Sequence, residues 1–138
     1  MKFMVMVKAT KDSEAGKRPE EQMLTEMMKF NEELAKAGVL LDGAGLQPSS
    51  KGAKVRFSGA KRTVIDGPFT EAKEVVAGFW MLQCKSLEEA VEWVKRCPNP
   101  HPTDSEIEIR PLFELTDFPE ANPETIERAA RIEKQIKG

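Results

Sequence analysis

Apolar residues fall on both sides of Lys2–Ala9, with Phe3, Val5 and Val7 in one phase and Met4 and Met6 in the other. This predicts a strand covered on both faces. Thr10–Arg18 is polar, contains Gly16 and reads as a loop. Pro19 then starts a helix, with Glu20 and Glu21 in the first turn, where acids suit the positive end of the helix dipole. Met23, Met27, Phe30 and Leu34 recur at spacings of 4, 3 and 4, one apolar stripe, and Gly38 ends the helix. Val39–Leu41 leads into DGAGLQPSS, whose two glycines and Pro48 predict a bend or bulge. Across Gly52–Gly59, Ala53, Val55 and Phe57 alternate with Lys54, Arg56 and Ser58, the pattern of a half-exposed strand. Arg62–Asp66 is a second short strand, returning from a hairpin at Ser58-Gly59-Ala60-Lys61.

Asp66–Glu74 reads DGPFTEAKE. Asp-Gly-Pro is a strong turn signal, and Thr70 is placed to cap a short helical turn through Lys73. Val75–Cys84 is nearly all apolar and predicts the central strand. Ser86-Leu87-Glu88-Glu89 has the form of a capping box. It opens a helix that turns Leu87, Ala90, Val91 and Val94 inward, with Pro98 beyond its end. After the proline-rich loop Pro98–Glu106, alternation from Glu106 to Leu115 gives the last strand. Asn122 and Pro123 cap and start a C-terminal helix with Ile126, Ala129, Ile132 and Ile136 on one side. The order is that of an α+β, ferredoxin-like βαββαβ domain with an antiparallel sheet and a C-terminal helix. One helix layer covers only one sheet face. The two-sided strands at Phe3–Val7 and Val75–Cys84 therefore predict a homodimer, with the bare face buried against a second copy.

Composition narrows the function classes. A chain of 138 residues fits a single domain. Net charge is −2, and the bases Lys17, Arg18, Lys51, Lys54, Arg56, Lys61 and Arg62 read as scattered among acids, which argues against nucleic acid as partner. The N-terminus carries no small-residue cleavage site, and no stretch approaches the roughly 20 apolar residues that span a bilayer. Cys84 and Cys97 form no C-x-x-C and read as buried thiols. A cytoplasmic protein without membrane, metal or cofactor is the expectation.

TVIDGPFTEAKE (Thr63–Glu74), GFWMLQCKSLEEAVEW (Gly78–Trp93) and EIEIRPLFEL (Glu106–Leu115) resemble the DGPF group of YCII-related proteins, and MKFMVMVKAT and AGVLLDGAGLQPSS fit the same pattern. The resemblance covers about Met1–Leu115, within an expected domain 1–118; residues 119–138 form a helical extension. It implies a bacterial protein forming a dimeric α/β barrel, two ferredoxin-like units with their sheets face to face. It also implies a possible link to an extracytoplasmic-function sigma factor, beside which such proteins are often encoded. The histidine–aspartate pair associated with some YCII-related proteins has its histidine in the first half of the chain. The single histidine here is His101, so that pair is not carried over.

The candidate ligand-binding residues are Asp66, Gly67, Pro68, Phe69, Glu71, Lys73, Glu74 and Arg110. Asp66 is either a strand-end general acid or base, or a carboxylate that accepts backbone N–H groups and shapes the turn. Glu71, Lys73 and Glu74 are a polar rim or solvated surface charges. Arg110 is an anchor for an anion or a partner for a neighbouring carboxylate. His101, with Asp104 and Glu106, lacks the geometry of a known metal signature and reads as a solvated loop residue. Two functions follow: a homodimeric module that binds a small ligand or regulates, with a cleft near the DGPF turn, or a small cofactor-independent enzyme using Asp66 on a small organic molecule. The second requires Asp66 and Arg110 to share one pocket.

Overall fold

A computed structural model describes the backbone of residues 1–138 and every side chain but that of Lys73. The strands are β1 (Lys2–Lys8), β2 (Leu40–Gly45), β3 (Ala53–Ser58), β4 (Lys61–Asp66), β5 (Val76–Gln83) and β6 (Ile107–Pro111). The helices are α1 (Lys11–Glu14), α2 (Glu21–Lys36), α3 (Leu87–Lys95) and α4 (Pro123–Lys137). One sheet has the order β2-β5-β1-β6 with every neighbour antiparallel, and β3 and β4 form a separate hairpin. With the hairpin set aside, the chain is strand-helix-strand-strand-helix-strand in ferredoxin-like order. β5 lies beside β1 at the centre, as its unbroken apolar run predicts.

The core lies between the sheet and two helices. Phe3, Val5 and Val7 of β1 and Trp80 and Leu82 of β5 meet Phe30 and Leu34 of α2 and Ala90 of α3. Phe3, Val5, Leu34 and Ala90 are wholly enclosed. Each large apolar side chain so buried contributes about 1.5–3 kcal/mol. Phe30 meets Trp80 edge-on with ring centroids 5.7 Å apart, and the indole N–H donates to Asn31 Oδ1 at 2.7 Å, so the buried ring keeps its polar atom satisfied. The opposite phase of the strands carries Met4 opposite Met81 and Met6 opposite Phe79, all half-buried. Lys8 and Glu108 pair there at 2.9 Å, and Lys8 holds the Glu108 carboxyl below its ordinary range through that hydrogen bond and its charge.

Several elements depart from expectation. The Thr10–Arg18 loop contains α1, opened by reciprocal bonds between Thr10 and Ser13. Pro19 precedes α2, which begins at Glu21. The segment expected to bend at DGAG is strand β2; an extra residue at Leu41 shifts the register, and pairing then runs on to Gly45. Gly43 suits this path because a Cβ there would stand 3.1 Å from Trp80 Cδ1. β3 was expected to bury one face, yet every residue of β3 and β4 is exposed. The turn at Ala72–Glu74 has Glu71 rather than Thr70 at its N-cap position, with no side-chain cap bond among the described residues. The Ser86 hydroxyl does accept from Glu89 N–H, while the Glu89 carboxylate reaches the N–H of Lys85. Strand β6 stops at Pro111, short of Leu115.

Candidate functional site

The DGPF turn is built against a residue from a distant part of the chain. Ser49 is buried, and both its backbone N–H, at 2.9 Å, and its hydroxyl donate to the Glu14 carboxylate. The Phe69 N–H donates to the Ser49 hydroxyl oxygen at 3.0 Å. Gly67 packs on the Ser49 backbone so closely that any Cβ would overlap the Ser49 carbonyl oxygen. Its N–H donates to Gly52 O at 3.1 Å, and the Gly67–Pro68 peptide is cis. The turn is thus held by an acid 35 residues upstream of Ser49 and by a close backbone contact. No local pattern announces a pair so far apart.

Beside this turn lies a cleft of about 390 Å³. Leu46, Phe69, Val75 and Val76 supply its apolar lining; Lys54, Thr70, Glu71 and Glu74 supply polar groups. Lys54 Nζ stands over the Phe69 ring, 4.1 Å from its centroid, which fixes a cation against an aromatic face. Leu46 enters because its N–H donates to Ala77 O at 2.8 Å, extending the β2–β5 pairing by one bond. The volume falls within the 300–1,000 Å³ usual for small-ligand pockets. Among the described residues, an apolar lining with one cation and two acids can hold a small organic molecule that carries an apolar body and a polar or charged group.

Of the candidate residues, Phe69, Glu71 and Glu74 line this cleft. Gly67 and Pro68 shape the turn beneath it. Asp66 ends β4 opposite Ala53, exposed, and among the described residues its carboxylate makes no hydrogen bond. Arg110 sits on edge strand β6 opposite Met4, exposed, 3.9 Å from Glu108. Neither Asp66 nor Arg110 lines the cleft. The side chain of Lys73 lies outside the described residues. Lys54, Leu46, Thr70, Val75 and Val76 are the rest of the lining among the described residues and were not among the candidate site residues read from the sequence; the hairpin alternation places Lys54 on a polar face without telling what that face meets.

The other reactive side chains are spoken for. His101 is half-buried, and its Nε2 lies 2.7 Å from the Lys8 carbonyl oxygen. A carbonyl only accepts, so Nε2 carries the proton and the ring ties the proline-rich loop to β1. Burial pushes the Cys97 thiol up to about 11 and raises Cys84 as well, which leaves little thiolate near neutral pH. Both are free thiols. Among the described residues, no helix is long and apolar enough to cross a membrane.

An antiparallel sheet in ferredoxin-like order, helices on one face and a cleft beside an inserted hairpin define an α+β domain of the ferredoxin-like type. The model of the YCII-related domain matches residues 1–116, and the chain belongs to that family. An uncharacterised protein of Rhizobium meliloti strain 1021 is 33% identical over 97 residues, covering 70% of this chain and 78% of that one. Among solved structures, 5-chloro-2-hydroxyhydroquinone dehydrochlorinase of Burkholderia phenoliruptrix AC1100, in complex with 2,5-dihydroxybenzoquinone, aligns with TM-score 0.39 and 15% identity. That alignment covers 78% of this chain and 91% of the other.

Proposed function

We propose that this YCII-related protein is a homodimeric module that binds a small organic ligand in the cleft beside the DGPF turn. The observation that carries the reading is the cleft itself. Its aromatic residue, Phe69, is anchored through its backbone to the Ser49–Glu14 pair and faces the ammonium of Lys54. A rigid turn that presents an aromatic face, a cation and two acids to an apolar hollow is preorganised for recognition, which lowers the ordering cost of binding. The catalytic alternative, with Asp66 as acid or base and Arg110 as anchor, finds no support in the placement of those two residues. The homodimer is supported by the half-exposed methionines and Phe79 on the sheet face away from the helices. Two such faces, meeting by two-fold symmetry, would cover each other.

The test is a screen of small metabolites against isotope-labelled protein, with amide shifts mapped onto the chain. Binders are expected to move the amides of Phe69, Glu71 and Val76, and Phe69→Ala is expected to weaken them by about tenfold or more, consistent with the loss of one aromatic contact. Binders that shift only residues elsewhere would remove the cleft from consideration.

A further inference from the structure

Every residue of the two hairpin strands is exposed, although Lys54 reaches the cleft. Val55, Phe57 and Val64 are 52%, 69% and 66% exposed. The bases that read as scattered in sequence collect here: residues 51–65 hold Lys51, Lys54, Arg56, Lys61 and Arg62 and no acid. All five are exposed, and among the described residues none is in an ion pair. A second segment has the opposite character. Residues 113–127 hold Glu114, Asp117, Glu120, Glu124 and Glu127 and no base. All are exposed, and the only ion pair among them, within the described residues, is that of Glu124 with Arg128 of the same helix. The same stretch leaves Phe113, Phe118 and Ile126 open to solvent, and α4 behind it buries no residue at all.

We infer that the basic hairpin of one copy docks on the acidic Phe113–Glu127 segment of a second copy, and the reverse. The inference rests on the homodimer proposed above and adds the contact that sets its pairing. Lys51, Arg56, Lys61 and Arg62, which do not line the cleft, complement five acids, and each segment carries apolar side chains that need cover. Within one chain the two segments share no ion pair among the described residues, so a second copy is the natural source of the missing charges. Two-fold symmetry lets both contacts form at once. Opposed charge fixes register and speeds encounter, while the apolar residues supply burial. Nucleic acid fits less well as the occupant of the arm, because it would leave the exposed apolar residues of the acidic segment uncovered and be repelled by its five acids.

The experiment uses two full-length double variants at positions free of other contacts: Arg56→Glu with Lys61→Glu on the hairpin, and Glu120→Lys with Glu127→Lys on the C-terminal segment. In a homodimer of either variant, like charges face each other at both contacts; in a dimer of one with the other, both contacts are complementary again. Sedimentation equilibrium at low salt is expected to show each variant alone associating about tenfold or more weakly than the parent chain. The mixture is expected to return to within about threefold of it. Contact within one chain would give no rescue on mixing. Variants that dimerise as tightly as the parent, or a mixture without rescue, overturn the inference and leave the homodimer standing. A parent chain that stays monomeric at every concentration overturns both. Retention of the parent chain, but not the hairpin variant, on duplex DNA, with dimerisation unchanged, would assign the arm to nucleic acid and overturn the inference.

Discussion

Gly67 has no room for a side chain, since a Cβ there would overlap the carbonyl oxygen of Ser49. Gly67→Ala therefore forces the turn away from Ser49 and strains the bonds that run from Phe69 through Ser49 to Glu14. Overpacking of this kind costs about 1–3 kcal/mol. A lower urea midpoint, with the cleft amides of Phe69 and Glu71 shifted, is the expected result; unchanged stability would mean the backbone contact is slack. Cys97 gives a second residue-level prediction, with a sign fixed by linkage. Burial raises its thiol from 9.0 to about 11, so the folded chain holds the proton more tightly than the unfolded one. The resulting stability is full below about pH 9 and is lost as pH rises towards 11. The urea midpoint is expected to fall between pH 8 and 11 more steeply in the parent chain than in Cys97→Ala.

Helix α4 owes its start to one residue: Asn122 Oδ1 accepts the Thr125 N–H at 2.8 Å, with Pro123 in the first turn. Because α4 buries nothing in the single chain, Asn122→Ala is expected to cost the helix about 0.5–2 kcal/mol while the sheet and its core stay as they are. Amide exchange should speed up along α4 and stay unchanged in β1 and β5; faster exchange throughout would tie α4 to the core. Elements of this sort were legible in the sequence because their signals are local. The Asn-Pro start of α4, the stripe from Met23 to Leu34 and the apolar run of β5 each state period and boundary within a few residues. Two things were not legible. Alternation in β3 says that two faces differ, but not that either is covered, and the hairpin stands clear with both exposed. The lining of the cleft depends on a Glu14–Ser49 bond across 35 residues and on where the hairpin sets Lys54, and neither follows from any window of sequence. The DGPF turn itself could be picked out, whereas the partner that holds it could not.

At the scale of the whole molecule, the sheet divides the chain into a closed side and an open one. The closed side is a finished core, with Phe3, Val5, Leu34 and Leu82 at most 1% exposed. On the open side, Met4, Met6, Phe79 and Met81 are left half-buried by the chain's own residues, with Lys8, Glu108 and Arg110 beside them on β1 and β6. In a lone chain, a charge at Met81 would remain partly hydrated and cost little. In a pair whose open faces meet, the same charge would be buried twice, once from each copy, with no partner, and an unpaired buried charge is strongly destabilising. Met81→Glu is therefore expected to sediment as a monomer, with the far-ultraviolet dichroism of the parent chain. It should also lose the concentration dependence of melting temperature that a dimer confers. Met28, exposed on α2 and remote from that face by its phase in the helix, is the matched control: Met28→Glu should leave both properties of the parent intact. If Met81→Glu sediments as the parent chain does at equal concentration, the open faces do not meet. Any pairing must then run through the hairpin and the C-terminal segment alone.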